Sequence, residues 1–327
     1  MIRYILNRLG QAILLLFLLS TVVFLMGRVV GDPVHLLVSD YATEKDIEIL
    51  KRELGLDRPL YEQYVRFHLD LLKGDFGRSF RSGKPTLATA LAVASATGAV
   101  FLGQPVEPGV VLYLDTATIR LCGTAFLLAA ALGILFGMIS SVARGTLPDW
   151  LVRLFALFGQ SVPPFVLGLL MIFLFSLHLR WFPTGGYGGT RHLVLPAVTL
   201  AVFFVAAIAR LLRGSMIEVL RKDFIKLARI KGLPEGIVVW KHAFKNSLVP
   251  VITYLGPLSV TIVTSALAVE VVFGWPGIGQ LAQQATLGRD LPVVQTVVLI
   301  LGAALVTVNL IVDLLYVWID PRVRLWK

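Results

Sequence analysis

The stretch of this sequence closest to a nucleotide-binding motif is residues 77–85, which read Gly-Arg-Ser-Phe-Arg-Ser-Gly-Lys-Pro. A phosphate-binding loop places four residues between its glycines and then Lys followed by Ser or Thr, whose hydroxyl binds magnesium. Here five residues separate Gly77 from Gly83, and Pro85 stands where the hydroxyl is needed. The motif therefore predicts no phosphoryl chemistry on this chain.

Metal, redox and nucleophilic chemistry also lack the residues that they need. Cys122 is the one cysteine of the sequence, so an internal disulfide, a cysteine zinc cluster and a CxxC redox pair are all excluded. No Gly-x-Ser-x-Gly pattern occurs, and His178 and His192 lie at the ends of apolar runs. We therefore expect no catalytic residue, no metal site and no cofactor bound by this chain.

Residues 210–246 carry the pattern that is most informative about function. A helix is predicted over residues 223–232, and Gly232 is a natural end for it. Its apolar side consists of Phe224, Leu227 and Ala228. Pro234 suits the first turn of a second short helix, whose residues run into the next span. Because an isolated pair of helices this short is marginal in water, we expect the pair to dock on a partner protein.

The elements that must position this segment are six apolar runs without Asp, Glu, Lys or Arg. They are residues 9–27, 121–143, 154–177, 193–209, 248–269 and 291–312. A helix that crosses about 30 Å of hydrocarbon needs about 20 such residues. The chain is 57% hydrophobic and 15% charged, with a mean hydropathy of +0.81, far more apolar than a soluble domain. The sequence predicts an all-α integral membrane protein with six transmembrane helices.

The positions of the basic residues predict how these helices are oriented. The side that holds both termini carries 16 Lys and Arg residues, nine of them between Arg210 and Lys245, whereas the two short loops opposite carry three. Basic residues accumulate in short cytoplasmic loops, so both termini are predicted to be cytoplasmic. This asymmetry accounts for the net charge of +10, and nucleic-acid binding is not indicated.

A long region between the first two runs is predicted to lie outside the cytoplasm. It is nearly neutral, and it contains one predicted helix over residues 43–54 and a second that starts after Pro59 and ends at Gly74. The apolar stripe of the second helix is Leu60, Tyr64, Phe67, Leu71 and Leu72. Such stripes rest on the membrane surface or on neighbouring spans more often than they bind a ligand. A small hairpin is predicted between residues 99 and 114.

The segment around Gly232 resembles the coupling loop of ABC importer permeases. The broad signature of that loop is Glu-Ala-Ala, three residues, Gly, nine residues and Ile-x-Leu-Pro, and Ala228 and Gly232 keep its spacing. Lys226 and Leu227 replace its first two letters. These departures resemble the dipeptide, oligopeptide and nickel branch, through Asp223-Phe224, Ala228-Arg229, Lys231-Gly232-Leu233, His242-Ala243, Asn246 and Pro250.

The rest of the chain is similar to the first, B-type, permease of that branch. The matching stretches are residues 1–9, 31–33, 53–60, 73–79, 274–279, 289–295, 309–316 and 320–322. Residues 95–115 do not match and have the character of an insertion.

The resemblance implies a type I ABC importer permease fold in the bacterial cytoplasmic (inner) membrane. Residues 1–30 would form the N-terminal tail and first helix, 31–120 the extracytoplasmic region, and 121–327 a five-helix core with the coupling loop at 210–246. The implied partners are a second homologous permease, two cytosolic ATPases that hold ATP and magnesium, and an extracytoplasmic solute-binding protein. The solute would be a peptide, a nickel chelate or a similar small molecule.

Two sets of residues are the candidate sites. By resemblance, contact with the ATPase would involve Asp223, Lys226, Ala228, Arg229, Lys231, Gly232, Leu233, His242 and Asn246. The residues that could face an aqueous path through the membrane are Gln160, Ser161, Thr253, Tyr254, Thr261 and Thr264. Hydroxyls in membrane helices also bond their own backbone, so ordinary packing remains an alternative for the second set.

Two breaks in the apolar runs leave the same alternatives open. Residues 163–164 are both proline, and Gly256-Pro257 is expected to interrupt the fifth span. Either break could kink a helix that lines a path or serve ordinary packing. Gly133 and Gly137 form a small-xxx-small face suited to close helix contact.

Two other protein classes fit the sequence less well. A proton-coupled secondary transporter would more often carry charged residues at mid-membrane depth and repeated halves, and neither is found. An intramembrane protease would need a nucleophile and a base at that depth. Both alternatives would be separated from the permease by testing whether an ATPase copurifies with the chain.

The orientation predicts the behaviour of reporter fusions. A reporter that is active only outside the cytoplasm should work when fused near Ser82 and fail near Pro234 or after Lys327, because of the 16 to three basic asymmetry. Enzyme activity of the fusions in intact cells measures this, and activity at Pro234 would overturn the orientation.

Overall fold

A computed structural model describes residues 2–29, 48, 51–52, 56–87 and 116–319. Its helices are α1 (Ile2–Val29), α2 (Leu60–Leu72), α3 (Thr116–Val142), α4 (Leu147–Ser161), α5 (Pro164–His178), α6 (Thr190–Leu220), α7 (Asp223–Ile230), α8 (Glu235–Phe273), α9 (Ile278–Leu287) and α10 (Leu291–Ile319). Within α5 and α8, Ile172–His178 and Val238–Phe244 are π-helical. Among the described residues, β-pairing is limited to one isolated antiparallel bridge between Arg78 and Pro85. The predicted all-α class is confirmed.

Part of the extracytoplasmic region lies outside this description. Of the helix predicted over residues 43–54, only 48, 51 and 52 are described, and these are helical. The hairpin predicted between residues 99 and 114 and the unmatched stretch 95–115 fall entirely outside the described residues.

Five of the helices are long and apolar enough to cross a membrane, namely α1, α3, α6, α8 and α10. The third predicted span differs, because it is divided into α4 and α5, whose axes meet at 108°. Val162 and Pro163 each precede a proline, and both are extended, with ψ of 122° and 142°. The residue before a proline avoids helical angles, so two in succession end the first helix and start the second in a new direction.

The expected interruption at Gly256-Pro257 does not occur. Helix α8 runs continuously through Pro250 and Pro257. The hydroxyl of Ser259 donates to the carbonyl of Gly256, and the hydroxyl of Thr261 donates to that of Pro257. The carbonyl that Pro257 leaves without an amide donor is that of Thr253, four residues earlier, so these two hydroxyl bonds do not replace the lost bond; prolines are nevertheless tolerated inside membrane helices.

The described residues of Ala117–Trp275 and Ile311–Lys327 form one compact unit, and α6 is the most buried of its membrane-spanning helices. Helices α4, α5 and α8 pack on α6. The small-residue face on α3 also lies against α6. A Cβ added to Gly133 would come within 2.6 Å of Ile208 Cβ, and one added to Gly137 within 2.8 Å of the Ala209 carbonyl. The predicted small-xxx-small contact is therefore confirmed.

The described residues of Met1–Thr116 and Pro276–Leu310 form a second unit, which includes α1, α2, α9 and residues 291–310 of α10. Helix α2 has the bounds that the sequence predicted, and Gly74 follows it with φ +79°. The predicted stripe is partly wrong: Tyr64 and Phe67 pack on α1, at ring distances of 5.4 and 5.5 Å from Phe24, but Leu60 and Leu72 are exposed.

The residues that resembled a phosphate loop form a turn that is fixed to the start of α10. Ser79 Oγ donates to Asp290 Oδ2 at 2.5 Å, and the Phe80 amide donates to Asp290 Oδ1 at 3.1 Å. The hydroxyls of Thr296 and Thr86 are 2.7 Å apart. The small polar residues of this turn therefore have a structural role.

A buried ion pair joins α3, α4 and α6. The carboxylate of Asp149 is 1% exposed and accepts two hydrogen bonds from Arg213, at 2.7 and 3.0 Å. Ser140 Oγ and the Gly145 amide donate to the same carboxylate. The four bonds fix the short turn between α3 and α4 against the C-terminal part of α6.

Removal of this carboxylate should destabilise the unit. We expect Asp149→Ala to lower the free energy of unfolding by up to about 3 kcal/mol, because the Arg213 guanidinium loses its buried partner. The matched control is Asp223→Ala, which breaks an exposed ion pair with Lys226 and should leave thermal unfolding unchanged. Unfolding would be followed in detergent by fluorescence, and equal melting temperatures of the two variants would contradict the assignment.

Candidate coupling and translocation sites

Helix α7 and the turn after it have the local structure that the sequence predicted. Asp223 lies in the first turn of α7, and Lys222 before it is extended. At the other end, Gly232 has φ +75°, a left-handed conformation that residues with a Cβ adopt at a cost. The Gly232 amide donates to Arg229 O at 2.9 Å and the Leu233 amide to Ala228 O at 3.3 Å. These two bonds satisfy carbonyls at the helix end and reverse the chain.

The apolar side of α7 is divided into two faces. Ile225 is fully buried and Ala228 is 7% exposed, and both belong to the main core cluster of their unit. Phe224, Leu227 and Ile230 are exposed by 43%, 52% and 81%. The prediction that Ala228 shares a face with Phe224 and Leu227 is therefore wrong. Ala228 faces the chain's own core, and the other face is open.

The buried face of α7 rests on the first turns of α8. Helix α7 packs on Val238–Phe244, whose Val238 and Ala243 are fully buried in the same cluster as Ile225. The second predicted helix runs into the next span, as predicted, and forms the beginning of the long helix α8. As a result, α7 is attached directly to the base of a helix long enough to span the membrane.

One exposed ion pair crosses the turn between α7 and α8, and another lies within α7. Arg229 donates to both carboxylate oxygens of Glu235, at 3.1 and 2.6 Å, and the hydrogen bonds to Glu235 raise the pKa of Arg229 above its ordinary value. Lys226 donates to Asp223 at 2.9 Å, and this hydrogen bond lowers the pKa of the Asp223 carboxyl. Both pairs are exposed, so they orient side chains more than they stabilise the fold.

The predicted coupling residues fall into two groups. Asp223, Lys226, Ala228, Arg229, Lys231, Gly232 and Leu233 lie together on α7 and its terminal turn. His242 and Asn246 lie on α8, where the Asn246 amide donates to the His242 carbonyl at 2.7 Å. His242 and Asn246 therefore lie on one turn of α8, outside the chain reversal at Gly232.

The predicted path residues on α8 are also divided. Thr253, Thr261 and Thr264 are exposed along one side of the helix, whereas Tyr254 is half-buried and packs against the core cluster. Each of the three hydroxyls donates to a carbonyl of α8 itself, at 2.9 to 3.0 Å. Each hydroxyl oxygen can still accept a further hydrogen bond.

Gln160 and Ser161 lie at the end of α4, immediately before the 108° bend. Ser161 is exposed and donates to the carbonyl of Leu157 at 2.8 Å, and Gln160 is half-buried. The structure therefore places these two residues on a different element from the threonines of α8.

Sequence reasoning missed a buried carboxyl group near the end of α8. Glu270 is fully buried, Thr118 Oγ1 donates to it at 2.5 Å, and the Trp275 amide donates to its carbonyl at 2.8 Å. The indole of Trp275 donates to the Ala117 carbonyl. The predicted span ended at Val269 because charged residues defined its limits, but α8 continues past Glu270. The apolar residues on both sides of Glu270 were the signal in the sequence that the helix continues through it.

Among the described residues, no group of three or more His, Cys, Asp or Glu side chains is arranged to hold a metal ion.

Comparison with known proteins gives matches over nearly the whole chain. Residues 133–325 match the family described as binding-protein-dependent transport system inner membrane component, and residues 1–100 match the N-terminal part described for the same systems. A probable peptide ABC transporter permease of Sinorhizobium fredii is 36% identical over 98% of this chain and 99% of its own length. The glutathione transport system permease GsiC of Escherichia coli is 35% identical over 99% of both chains.

A putative peptide transport system permease of Brucella abortus is 38% identical over 98% of both chains. Among solved structures, an amino acid ABC transporter crystallised with histidines matches with a TM-score of 0.51 at 14% identity, over 61% of this chain and 88% of that one. This structural likeness supports the fold. Together with the family match, the apolar helices identify a multi-pass protein of the inner membrane.

The chain belongs to the family of binding-protein-dependent transport system inner membrane components, which are the permease subunits of ABC importers.

Proposed function

We propose that this permease passes peptides or similar small solutes into the cell, and that ATP hydrolysis on partner subunits drives it through α7. The observation that carries the proposal is the open face of Phe224, Leu227 and Ile230 on a helix whose opposite face is buried. The named relatives transport peptides or glutathione, which favours a peptide-like solute over a nickel chelate.

An exposed apolar face of this kind supports docking on a protein. Water-exposed apolar side chains at three positions of one short helix favour burial in a groove, where anchors at i, i+3 and i+6 or i+7 can insert together. The partner proposed is a cytosolic ATPase, one on this chain and one on a second homologous permease. An extracytoplasmic binding protein would deliver the solute.

The proposed orientation places α7 in the cytoplasm. Helix α6 ends at Leu220 and α8 begins at Glu235, and nine basic residues lie between Arg210 and Lys245. This concentration supports cytoplasmic termini, because α7 and both termini are on the same side of a six-span chain.

The proposed solute path includes the open side of α8. Thr253, Thr261 and Thr264 present hydroxyl oxygens there, on a side that is otherwise composed of small and apolar residues. Since each hydroxyl donates to its own backbone, the side chains could accept hydrogen bonds from a passing solute without leaving a donor unpaired. ATP and magnesium would be held by the partner ATPases.

The coupling role predicts the effect of a Cβ at Gly232. Gly232→Val should nearly abolish solute-stimulated ATP hydrolysis and uptake, because a β-branched residue at φ +75° costs at least about 1–2 kcal/mol and would change the angle between α7 and α8. Both activities would be measured in vesicles that contain the assembled transporter.

Gly236→Val is the matched control. Gly236 is exposed in the same segment, and a Cβ on either glycine would meet nothing within 4 Å. The two substitutions therefore differ chiefly in backbone conformation, since only Gly232 is left-handed. We expect Gly236→Val to retain most activity. Equal activity of both variants, at equal assembly, would refute coupling through this turn.

A further inference from the structure

Helix α2 lies directly beside the second half of α1, with the opposite chain direction. His68 contacts Phe17, with ring centroids 5.3 Å apart, and Tyr64 contacts Phe24 at 5.4 Å. Further along, Arg28 donates to Gln63 at 2.9 Å. As the position on α1 advances from 17 to 28, the position on α2 falls from 68 to 63, so the helices are antiparallel.

Polar contacts fix the depth of α2 along α1. Ser20 Oγ and His68 Nε2 are 3.0 Å apart, and the hydroxyls of Thr21 and Tyr64 are 2.8 Å apart. The apolar helix Ile5–Arg28 rises about 1.5 Å per residue, so Ser20 and Thr21 lie within the hydrocarbon thickness. The C-terminal turns of α2 therefore lie beside the membrane span, below the level of its surface.

Helix α2 has three distinct faces. One face packs on α1 and carries Gln63, Tyr64, Phe67 and His68. A second carries the charged residues Glu62, Arg66, Asp70 and Lys73. The third carries Tyr61, Val65, Leu69 and Leu72, which are exposed by 74%, 53%, 49% and 85%. At 100° per residue the third face lies between the other two, and we call it the outer stripe.

Helix α1 also has three faces. Its face towards α2 is described above. Its second face is turned towards α10: Leu19 lies against Gly302, and the Val23 carbonyl accepts a hydrogen bond from Gln295. The remaining face carries Leu18, Val22, Leu25 and Met26, each at least half exposed.

The handedness of the two helices determines which open faces adjoin. Viewed along α1 from its N-terminus, residue positions turn clockwise, so the open face of α1 follows its α2 face in the clockwise direction. Viewed from the same direction, residue positions on the antiparallel helix α2 turn anticlockwise. The outer stripe of α2 and the open face of α1 therefore point to the same side, and the charged face of α2 points away from it, towards the side on which α10 lies.

We propose that the outer stripe of α2 contacts lipid acyl chains in the leaflet that the C-terminal half of α1 crosses. It forms one apolar surface with the open face of α1 at the same depth, and the charged face of α2 points away from these acyl chains. Three of its four residues have no polar side-chain atom, and Tyr61 is at the end nearest the membrane surface, where tyrosines are enriched. The inference rests on membrane insertion of α1 and is independent of the transported solute and the ATPase.

Spin labels can measure this arrangement in the assembled transporter in liposomes. Single cysteines would be placed at Val65 and Leu69 of the outer stripe and at Glu62 and Arg66 of the charged face, with Cys122→Ala in every variant. All four positions are on the surface, so the label should not disturb packing. A cysteine at Val22 on α1 provides the lipid-facing reference.

Oxygen collects in hydrocarbon, and a nickel chelate stays in water, so collision rates with both report the surroundings of each label. The ratio of oxygen to nickel collisions should be several-fold higher at Val65 and Leu69 than at Glu62 and Arg66, and close to the ratio at Val22. Strong nickel collisions at all four positions of α2 would overturn the proposal. Shielding of Val65 and Leu69 from both probes would also overturn it, because a protein partner would then cover the stripe.

Discussion

Backbone amides and carbonyls find no hydrogen-bond partner in the hydrocarbon core of a membrane. This constraint determines the structure of the membrane-spanning part of the fold. The described spans are helices whose backbone bonds are internal. At two places where prolines remove a donor, the results differ. Helix α8 continues through Pro257, whereas at Pro163 and Pro164 one helix ends and another begins. The difference follows from having one proline or two in succession.

A second constraint, the marginal stability of a short helix in water, explains why α7 is packed on the base of α8. A helix as short as α7 is not stable alone in water, but burial of Ile225 and Ala228 on the base of α8 holds it in place. The left-handed Gly232 and the pair formed by Arg229 and Glu235 fix the turn between the two helices. Movement of α7 would therefore be transmitted to the start of α8, and α8 carries the threonines proposed to line the path.

Length and apolarity predicted the helices well, because crossing hydrocarbon requires about 20 uncharged residues whatever the neighbours are. The helical wheel did not show which edge of the α7 stripe is buried, since the position of Ala228 depends on contacts with residues 238–243, across a reversal of the chain. The sequence also did not predict how far α2 extends along α1, because that position depends on contacts of His68 and Tyr64 with Ser20 and Thr21. Glu270 escaped notice because its partner, Thr118, is far away in the sequence.

The central claim is that the open face of α7 contacts the ATPase. Photocrosslinking tests this directly: benzoylphenylalanine would replace Phe224 or Ile230, which are exposed on α7, and Leu157 on α4, whose exposure lies between theirs. After irradiation of membranes that hold the assembled transporter, adducts would be identified by mass spectrometry. The account predicts ATPase adducts from positions 224 and 230 and none from 157. Absence of ATPase adducts at both α7 positions in an assembled, active complex would contradict it.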